Sequence, residues 1–275
     1  YGELLIPGRS DQEVLISCHV CHPSLCNDNL SGIVVATKLA ELLGGMPRTY
    51  SYRFLFIPGT IGSITWLARN QERVGRIRAG LVLTGIGDGG GVTYKQSRQG
   101  RSLIDRVMTH ILKHRGKPHR TIEFYPYGYD ERQYCSPGFD LPVGCLMRTP
   151  HGEYPEYHTS ADNLELVKTE SLLDSLDLVL KALYVIENDM TPVSTNPFCE
   201  PQLGKRGLYR AIAGQKEGAS KEMALLWVLN MADGRHTLLD IAERAQIPFE
   251  AIHAAATLLE ANGLLQARAG NSKEA

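Results

Sequence analysis

The sequence predicts an α/β domain followed by a smaller helical domain. Over the first two-thirds of the chain, short runs rich in β-branched and aromatic residues alternate with longer helical patterns. This alternation is typical of a sheet whose strands are joined by crossover helices. A proline-rich segment and three further helical patterns follow. The 275 residues are 43% hydrophobic and 21% charged, an ordinary globular composition with room for one large domain or two unequal ones.

Eight elements are predicted in the large domain. The strands are residues 14–20, 52–57, 80–85, 121–125 and 141–147, and the helices are residues 31–43, 101–114 and 169–188. Apolar residues recur at helical spacing in each helix, and Ser31 is expected to cap the first one.

A domain boundary is predicted just beyond the last of these helices. Residues 191–203 contain three prolines, which cannot sustain a helix, so they are interpreted as a linker between domains 1–190 and 204–275. The second domain has helical patterns at residues 221–231, 238–245 and 249–260 and a short apolar run at 263–267. This order resembles a winged helix, and its predicted core is Leu225, Leu226, Ile252, Leu258 and Leu259.

Charge and cysteine content restrict the functional classes. There are 29 Lys and Arg against 30 Asp and Glu, so nothing favours nucleic acid or an anionic membrane for the whole chain. Every long apolar stretch is interrupted by charge, short of the roughly 20 residues of a membrane helix. The start at Tyr1 lacks the features of a signal peptide, and the six cysteines suggest reduced thiols. We expect a cytoplasmic protein without a membrane partner, and a chain trimmed from a longer one.

Three motifs place metal-binding residue types after predicted strands. They are residues 17–32, 84–91 and 156–163, and their candidate ligands are His19, His22, Asp28, Asp88 and His158, with Cys21 beside them. Ligand sites of open α/β sheets lie beyond the carboxyl ends of the strands. Imidazole and carboxylate groups are the ligand set of catalytic zinc, and a carboxylate such as Asp28 can bridge two ions.

Other interpretations of the same residues remain open at this stage. Residues 27–29 could cap a helix, and residues 87–91 could form a turn. Residues 18–22 match the c-type haem pattern C-x-x-C-H, although they interrupt a strand. Cys18, Cys21 and Cys26 could hold an iron–sulfur cluster only with a fourth, distant cysteine.

The motifs VLISCHV, NDNLSG and YHTSADN, taken together, resemble the co-catalytic zinc aminopeptidase and glutamate-carboxypeptidase-like superfamily. More narrowly, CHPSLCNDNLSG with a trailing winged helix resembles a bacterial aminopeptidase-like family often linked to polysaccharide gene clusters. The resemblance covers residues 14 to about 189. It implies a three-layer sandwich around a mixed sheet, one or two zinc ions, and a substrate that is a peptide or another amide-containing molecule.

The resemblance also implies residue roles. His19 would be the first ligand, Asp28 the bridging carboxylate and His158 the ligand of the second ion. Asp88 would be the remaining carboxylate ligand, and His22 a ligand instead of, or beside, His19. Cys21 stands where the superfamily has an aspartate, and Cys21 and Asp130 are expected to lie just behind the ligands. Residues 130–143 would shape the pocket, with Tyr129 in place of a serine.

One position departs from the superfamily pattern. After the second predicted strand the superfamily has one or two glutamates, a general base and a metal ligand, and here the position is Gly59. A missing general base costs about a hundredfold to ten-thousandfold in rate. Glu131, Glu153 or Glu156 could substitute from another loop. The sequence therefore supports a zinc-dependent hydrolase first, a metal-binding or scaffolding module that has lost catalysis second, and a DNA-binding regulator third.

The DNA-binding hypothesis is the weakest because of the charges in the small domain. Residues 201–275 contain nine Lys or Arg and eight Asp or Glu. The third helix pattern, which would enter the major groove, has no Lys or Arg, whereas phosphate contacts need cations. We expect the winged helix to pack within the chain or between subunits of a homo-oligomer.

Overall fold

The computed structural model of the chain describes residues 1–208 and 216–267. It divides into two compact units, with the second beginning at Tyr184. The predicted second domain, residues 204–275, therefore includes residues 209–215 and 268–275, which lie outside the described part of the chain. No helix among the described residues is long and apolar enough to cross a lipid bilayer.

The first unit is built on one seven-stranded sheet. Its strands are β1 (Gly2–Ile6), β2 (Glu13–His19), β3 (Ser51–Ile57), β4 (Ile77–Leu83), β5 (Val92–Lys95), β6 (His119–Ile122) and β7 (Val143–Met147). Their spatial order is β1-β3-β2-β4-β7-β5-β6. β3, β2, β4 and β7 run parallel, whereas β1 pairs antiparallel with β3 and β5 antiparallel with β7. The sheet is therefore mixed, as predicted.

Five helices accompany the sheet. They are α1 (Ser31–Gly44), α2 (Ile61–Arg69), α3 (Leu103–His114), α4 (Glu131–Tyr134) and α5 (Thr169–Asn188). Every residue of β2 is buried, as expected for a central strand with neighbours on both sides. Its one charged residue, Glu13, accepts a bidentate hydrogen bond from the buried Arg53 of β3, with Nη2 at 2.7 Å from Oε1.

The structure corrects three local predictions. Ser31 does not cap α1; its hydroxyl donates to the carbonyl of Asn27 and accepts from the amide of Ile86. The strand expected at residues 121–125 is β6, which begins two residues earlier and ends three residues earlier. β1, β5, α2 and α4 were not predicted; β1 is an exposed edge strand, and β5 and α4 have only four residues each.

The described residues of the second unit form three helices and a two-stranded ribbon. The helices are α6 (Lys216–Met231), α7 (Leu238–Ala245) and α8 (Phe249–Ala261). β8 (Pro192–Ser194) pairs antiparallel with β9 (Leu265–Ala267), so part of the predicted linker is a strand of this unit. Of the predicted core, Leu225, Ile252 and Leu259 are buried, but Leu258 is 44% exposed and Leu226 is only partly buried.

Candidate metal centre

The predicted site residues gather beyond the carboxyl ends of the parallel strands. His19 is the last residue of β2, and the loop after it leads through a single π-helical turn, Cys26–Leu30, into α1. The loops after β3, β4 and β7 carry Gly59, Asp88 and His158. Because these four strands are parallel, their loops lie at one edge of the sheet, where α/β folds bind ligands.

Asp28 is the centre of the cluster and is fully buried. Its Oδ1 lies 2.7 Å from Nε2 of His19, and its Oδ2 lies 3.0 Å from Nε2 of His158. Nδ1 of His22 is 3.5 Å from the same Oδ2. The structure thus brings together four of the five predicted ligands, three imidazoles around one carboxylate.

Asp162 holds the loop that carries Asp28. Its carboxylate accepts the backbone N–H of Asn27 at 2.6 Å and that of Asp28 at 2.9 Å. Asp162 was not among the predicted site residues. Its place in the motif YHTSADN, four residues after His158, is the feature of the sequence that could have identified it.

Two tyrosines pack against the imidazoles. Tyr129 stacks on His19 with ring centroids 4.9 Å apart, and Tyr157 stacks on His158 at 3.9 Å. The two hydroxyl groups are 3.3 Å apart, and Tyr129 donates. His158 has a φ of 57°, in the left-handed region that non-glycine residues seldom occupy and that often marks a functional site. The rings of two of the predicted ligands, His19 and His158, are therefore held by stacking.

The electrostatics favour the metal-binding forms of these side chains. Burial raises the pKa of Asp28, but the hydrogen bond from His19 and the charges of the three imidazoles outweigh it, and its pKa lies below the usual value. Burial lowers the pKa of His22. Near neutral pH this gives a carboxylate facing a neutral imidazole, the protonation states that bind a cation.

Asp88 occupies a different position from the other predicted ligands. Its Oδ1 accepts from Thr149 Oγ1 at 2.6 Å and from the amide of Gly90 at 2.7 Å. Its Oδ2 accepts from Asn27 Nδ2 at 3.1 Å. Asp88 therefore holds Asn27, the residue that precedes Asp28. A role of Asp88 as a direct metal ligand remains a prediction.

Two of the acids considered as substitutes for the missing glutamate are in ion pairs. Glu131 is buried and bound at 2.8 Å to the equally buried Nζ of Lys95, which also donates to the carbonyl of Tyr127. Glu153 pairs with Arg120 at the surface. Glu156 is partly buried, two residues before His158.

Asp130 is the acid that faces Gly59. Its Oδ1 accepts from Ser63 at 2.6 Å, whereas Oδ2 is buried without a hydrogen-bond partner. A Cβ atom at position 59 would lie 3.3 Å from this Oδ2 and 3.1 Å from Cβ of His19. Burial raises the pKa of Asp130 to about 6.

Two of the separations between donor atoms are close to those that a zinc ion requires. A tetrahedral ion with bonds of about 2.0 Å to oxygen and 2.1 Å to nitrogen holds these ligands roughly 3.3 Å apart. The observed separations from Asp28 Oδ2 are 3.0 Å to His158 and 3.5 Å to His22. His158 is 48% exposed, so this side of the cluster is open to solvent and to a substrate.

Neither alternative cofactor fits the cysteines. Cys18 lies inside β2 and is fully buried, so Cys18 and Cys21 cannot present two thiols on one surface for a haem. Among the described residues, the groups whose metal-binding atoms all lie within 4.8 Å of one another are His19, Cys21 and His22, and His22, Asp28 and His158. Neither group contains two cysteines, as an iron–sulfur cluster would require.

Comparison with known proteins places the chain in a family. Residues 1–189 match a domain of unknown function, DUF4910, and residues 190–267 match a winged helix-turn-helix family. A Clostridium acetobutylicum protein, provisionally named a polysaccharide biosynthesis protein with aminopeptidase-like domain, is 48% identical over 259 residues. The match covers 94% of this chain and 59% of that protein. The chain thus spans about three-fifths of the length of the curated relative it matches.

Solved structures agree on the fold. A crystal structure of a provisionally named peptidase from Clostridium acetobutylicum superimposes with a TM-score of 0.90 at 45% identity, over 96% of this chain and 60% of that chain. A zinc aminopeptidase from Bacillus subtilis gives a TM-score of 0.58 at 20% identity, over 67% of this chain and 49% of that chain. The chain therefore belongs to the DUF4910 family, with the fold of the zinc aminopeptidases followed by a winged helix.

Proposed function

We propose that this chain is a zinc-dependent hydrolase of peptide bonds or related amide bonds. The observation that carries the proposal is the convergence of three imidazoles on the buried carboxylate of Asp28. Three protein ligands with one open position are the usual arrangement of a catalytic zinc site, because the open position receives water or substrate.

The residues of the chain have distinct roles in this proposal. His22, Asp28 and His158 would hold the ion, with His19 on the other oxygen of Asp28. Zinc, when bound, supplies Lewis acidity toward an amide carbonyl and toward water. Asp162 keeps the loop of Asp28 in place, and Tyr157 fixes the ring of His158 at the open side.

The substrate class is proposed from the fold and the relatives. The fold is that of zinc aminopeptidases, whereas the Clostridium relative is named for polysaccharide biosynthesis. We therefore expect either an amide next to a free amino group or an amide of a sugar derivative.

The first test is metal content. We expect the protein, purified without an affinity tag and dialysed against zinc, to retain at least one zinc ion per chain by mass spectrometry. His158→Ala should lose this ion, and His119→Ala, which removes an exposed imidazole of β6, should keep it. Zinc-loaded protein should then hydrolyse aminoacyl anilides or N-acetylated amino sugars. Absence of stoichiometric zinc in the unaltered protein would refute the proposal.

A second candidate function is a binding or scaffolding module that has lost catalysis. Gly59 favours it, because no side chain at this position can accept a proton, and Glu131 is held by Lys95. Zinc bound at full occupancy together with no turnover in a broad amide panel would support this candidate over the hydrolase.

A further inference from the structure

We propose that Cys21 is a metal ligand, and that its thiolate provides the negative charge that is absent at Gly59. With His19 and His22 it would bind one ion through sulfur and two imidazoles. The inference rests on the proposed function, because it concerns the same loop and the same kind of ion. It goes beyond that function by assigning a second, sulfur-containing ligand set.

The placement of the thiol is the first observation. Cys21 is in the loop between His19 and His22, and its Sγ lies 4.0 Å from Nδ1 of His22. This sulfur and one ring nitrogen of each histidine all lie within 4.8 Å of one another. The three donors thus surround one point.

The contact with position 59 is the second observation. The Sγ–H group donates to the carbonyl oxygen of Gly59 at 3.8 Å. The thiol therefore lies against the backbone position at which the zinc aminopeptidase superfamily has an acidic side chain. A thiolate there carries the same charge as the missing carboxylate.

The pair formed by Cys21 and His22 requires only a small adjustment. A tetrahedral zinc ion with bonds of about 2.1 Å to nitrogen and 2.3 Å to sulfur holds the two ligands roughly 3.6 Å apart. The observed distance of 4.0 Å must shorten by a few tenths of an ångström. Cys21 is exposed, so its side chain has room to move, and its proton passes to solvent as the bond between sulfur and metal forms.

The two ligand sets share His22. Its Nδ1 can bind one ion at a time, so the thiolate set and the set formed by Asp28 and His158 compete for this imidazole. Sulfur and nitrogen ligands favour zinc and cobalt over magnesium and calcium, which prefer oxygen. We therefore expect selectivity for zinc or cobalt.

Cobalt spectroscopy tests the inference directly. We expect the protein loaded with Co²⁺ to show visible d–d absorption and a near-ultraviolet thiolate-to-cobalt charge-transfer band. Cys21→Ser should lose the charge-transfer band and keep d–d absorption from cobalt held by Asp28 and His158. The matched control is Cys26→Ser, which alters a partly buried thiol five residues later and should keep both features.

The outcomes separate this inference from the proposed function. If cobalt binds with d–d absorption but without the charge-transfer band, or if Cys21→Ser retains that band, the thiolate assignment is wrong and the metal centre stands. If neither Co²⁺ nor Zn²⁺ binds, both proposals fail.

A second measurement needs no variant. In the unaltered protein, zinc should slow alkylation of Cys21 by iodoacetamide by about tenfold or more, because a metal-bound thiolate is a poor nucleophile. Cys199 is exposed and serves as the internal control, whose rate should not change. Mass spectrometry of the tryptic peptides gives both rates, and equal rates for Cys21 with and without zinc would overturn the inference.

Discussion

Gly59 is the residue that decides between the two candidate functions. Its φ lies outside the left-handed region, so a side chain is allowed by the backbone. A Cβ atom would meet His19 and Asp130 at 3.1 Å and 3.3 Å, closer than most Cβ contacts but without an overlap that blocks folding. The position can therefore be substituted and tested.

We expect Gly59→Glu to raise amidase activity on the order of a hundredfold over Gly59→Ala, because a general base is restored. Gly59→Ala is the matched control, since its Cβ atom crowds His19 and Asp130 in the same way but adds no carboxylate. Because of this crowding, Gly59→Ala should lower the free energy of unfolding by about 1 kcal/mol. Initial rates with an aminoacyl anilide, measured on zinc-loaded proteins, give the comparison. Equal rates for the two variants would favour the scaffolding function.

Residues within contiguous motifs could be predicted from the sequence, whereas contacts between distant residues could not. His19, His22 and Asp28 lie within ten residues of one another, and a strand end followed by a helix start places them together. The stacking of Tyr129 on His19 joins residues 110 positions apart and depends on the fold. The same holds for Asp162, whose bonds to the loop of Asp28 span 134 positions.

At the scale of elements, helix α3 contains a buried histidine that should make stability depend on pH. Burial, reinforced by His114, Lys113 and Arg106, lowers the pKa of His110 to about 4. In the unfolded chain a histidine has a pKa of about 6.5. Between these values the unfolded chain binds a proton that the folded protein does not. This residue therefore lowers the free energy of unfolding as the pH falls from 6.5 to 4, and has no such effect above 6.5.

We expect His110→Gln to weaken this pH dependence, by at most about 1.4 kcal/mol per pH unit for the one proton involved. Urea denaturation at pH 4.5 and pH 7 measures the free energy of unfolding for both proteins. His119→Gln, at an exposed imidazole, should leave the dependence unchanged. An unchanged slope in His110→Gln would mean that this residue is protonated in the folded protein.

Helices with a strong hydrophobic periodicity, such as α5 and α7, were predicted, whereas the four-residue β5 and α4 and the exposed β1 were not. The bounds of α5 and α7 match the sequence prediction, because apolar residues recur over their whole length. β5 has only four residues, including a buried lysine whose partner, Glu131, is remote in sequence. β1 is partly exposed and pairs on one side only, so its pattern carries little information.

At the scale of the whole molecule, the winged helix raises the question of DNA binding. The chain has a net charge of −1, and α8 has no Lys or Arg. We expect no gel-shift complex with a random duplex of 30 base pairs at micromolar protein and near-physiological salt, since non-specific binding arises from cations that neutralise phosphates. A basic winged-helix repressor is the positive control. A micromolar complex that weakens steeply with salt would contradict this expectation.

The parallel strands that create the site also place the site residues and the core residues in different segments of the chain. Except for His19, the last residue of β2, the site residues sit on loops beyond β2, β3, β4 and β7, whereas the residues that fill the core of the sheet lie within the strands. A substitution in a loop can therefore change reactivity without unfolding the sheet, and position 59 lies on such a loop. In a lineage with this architecture, chemistry can be lost, altered or regained one loop at a time while the scaffold persists.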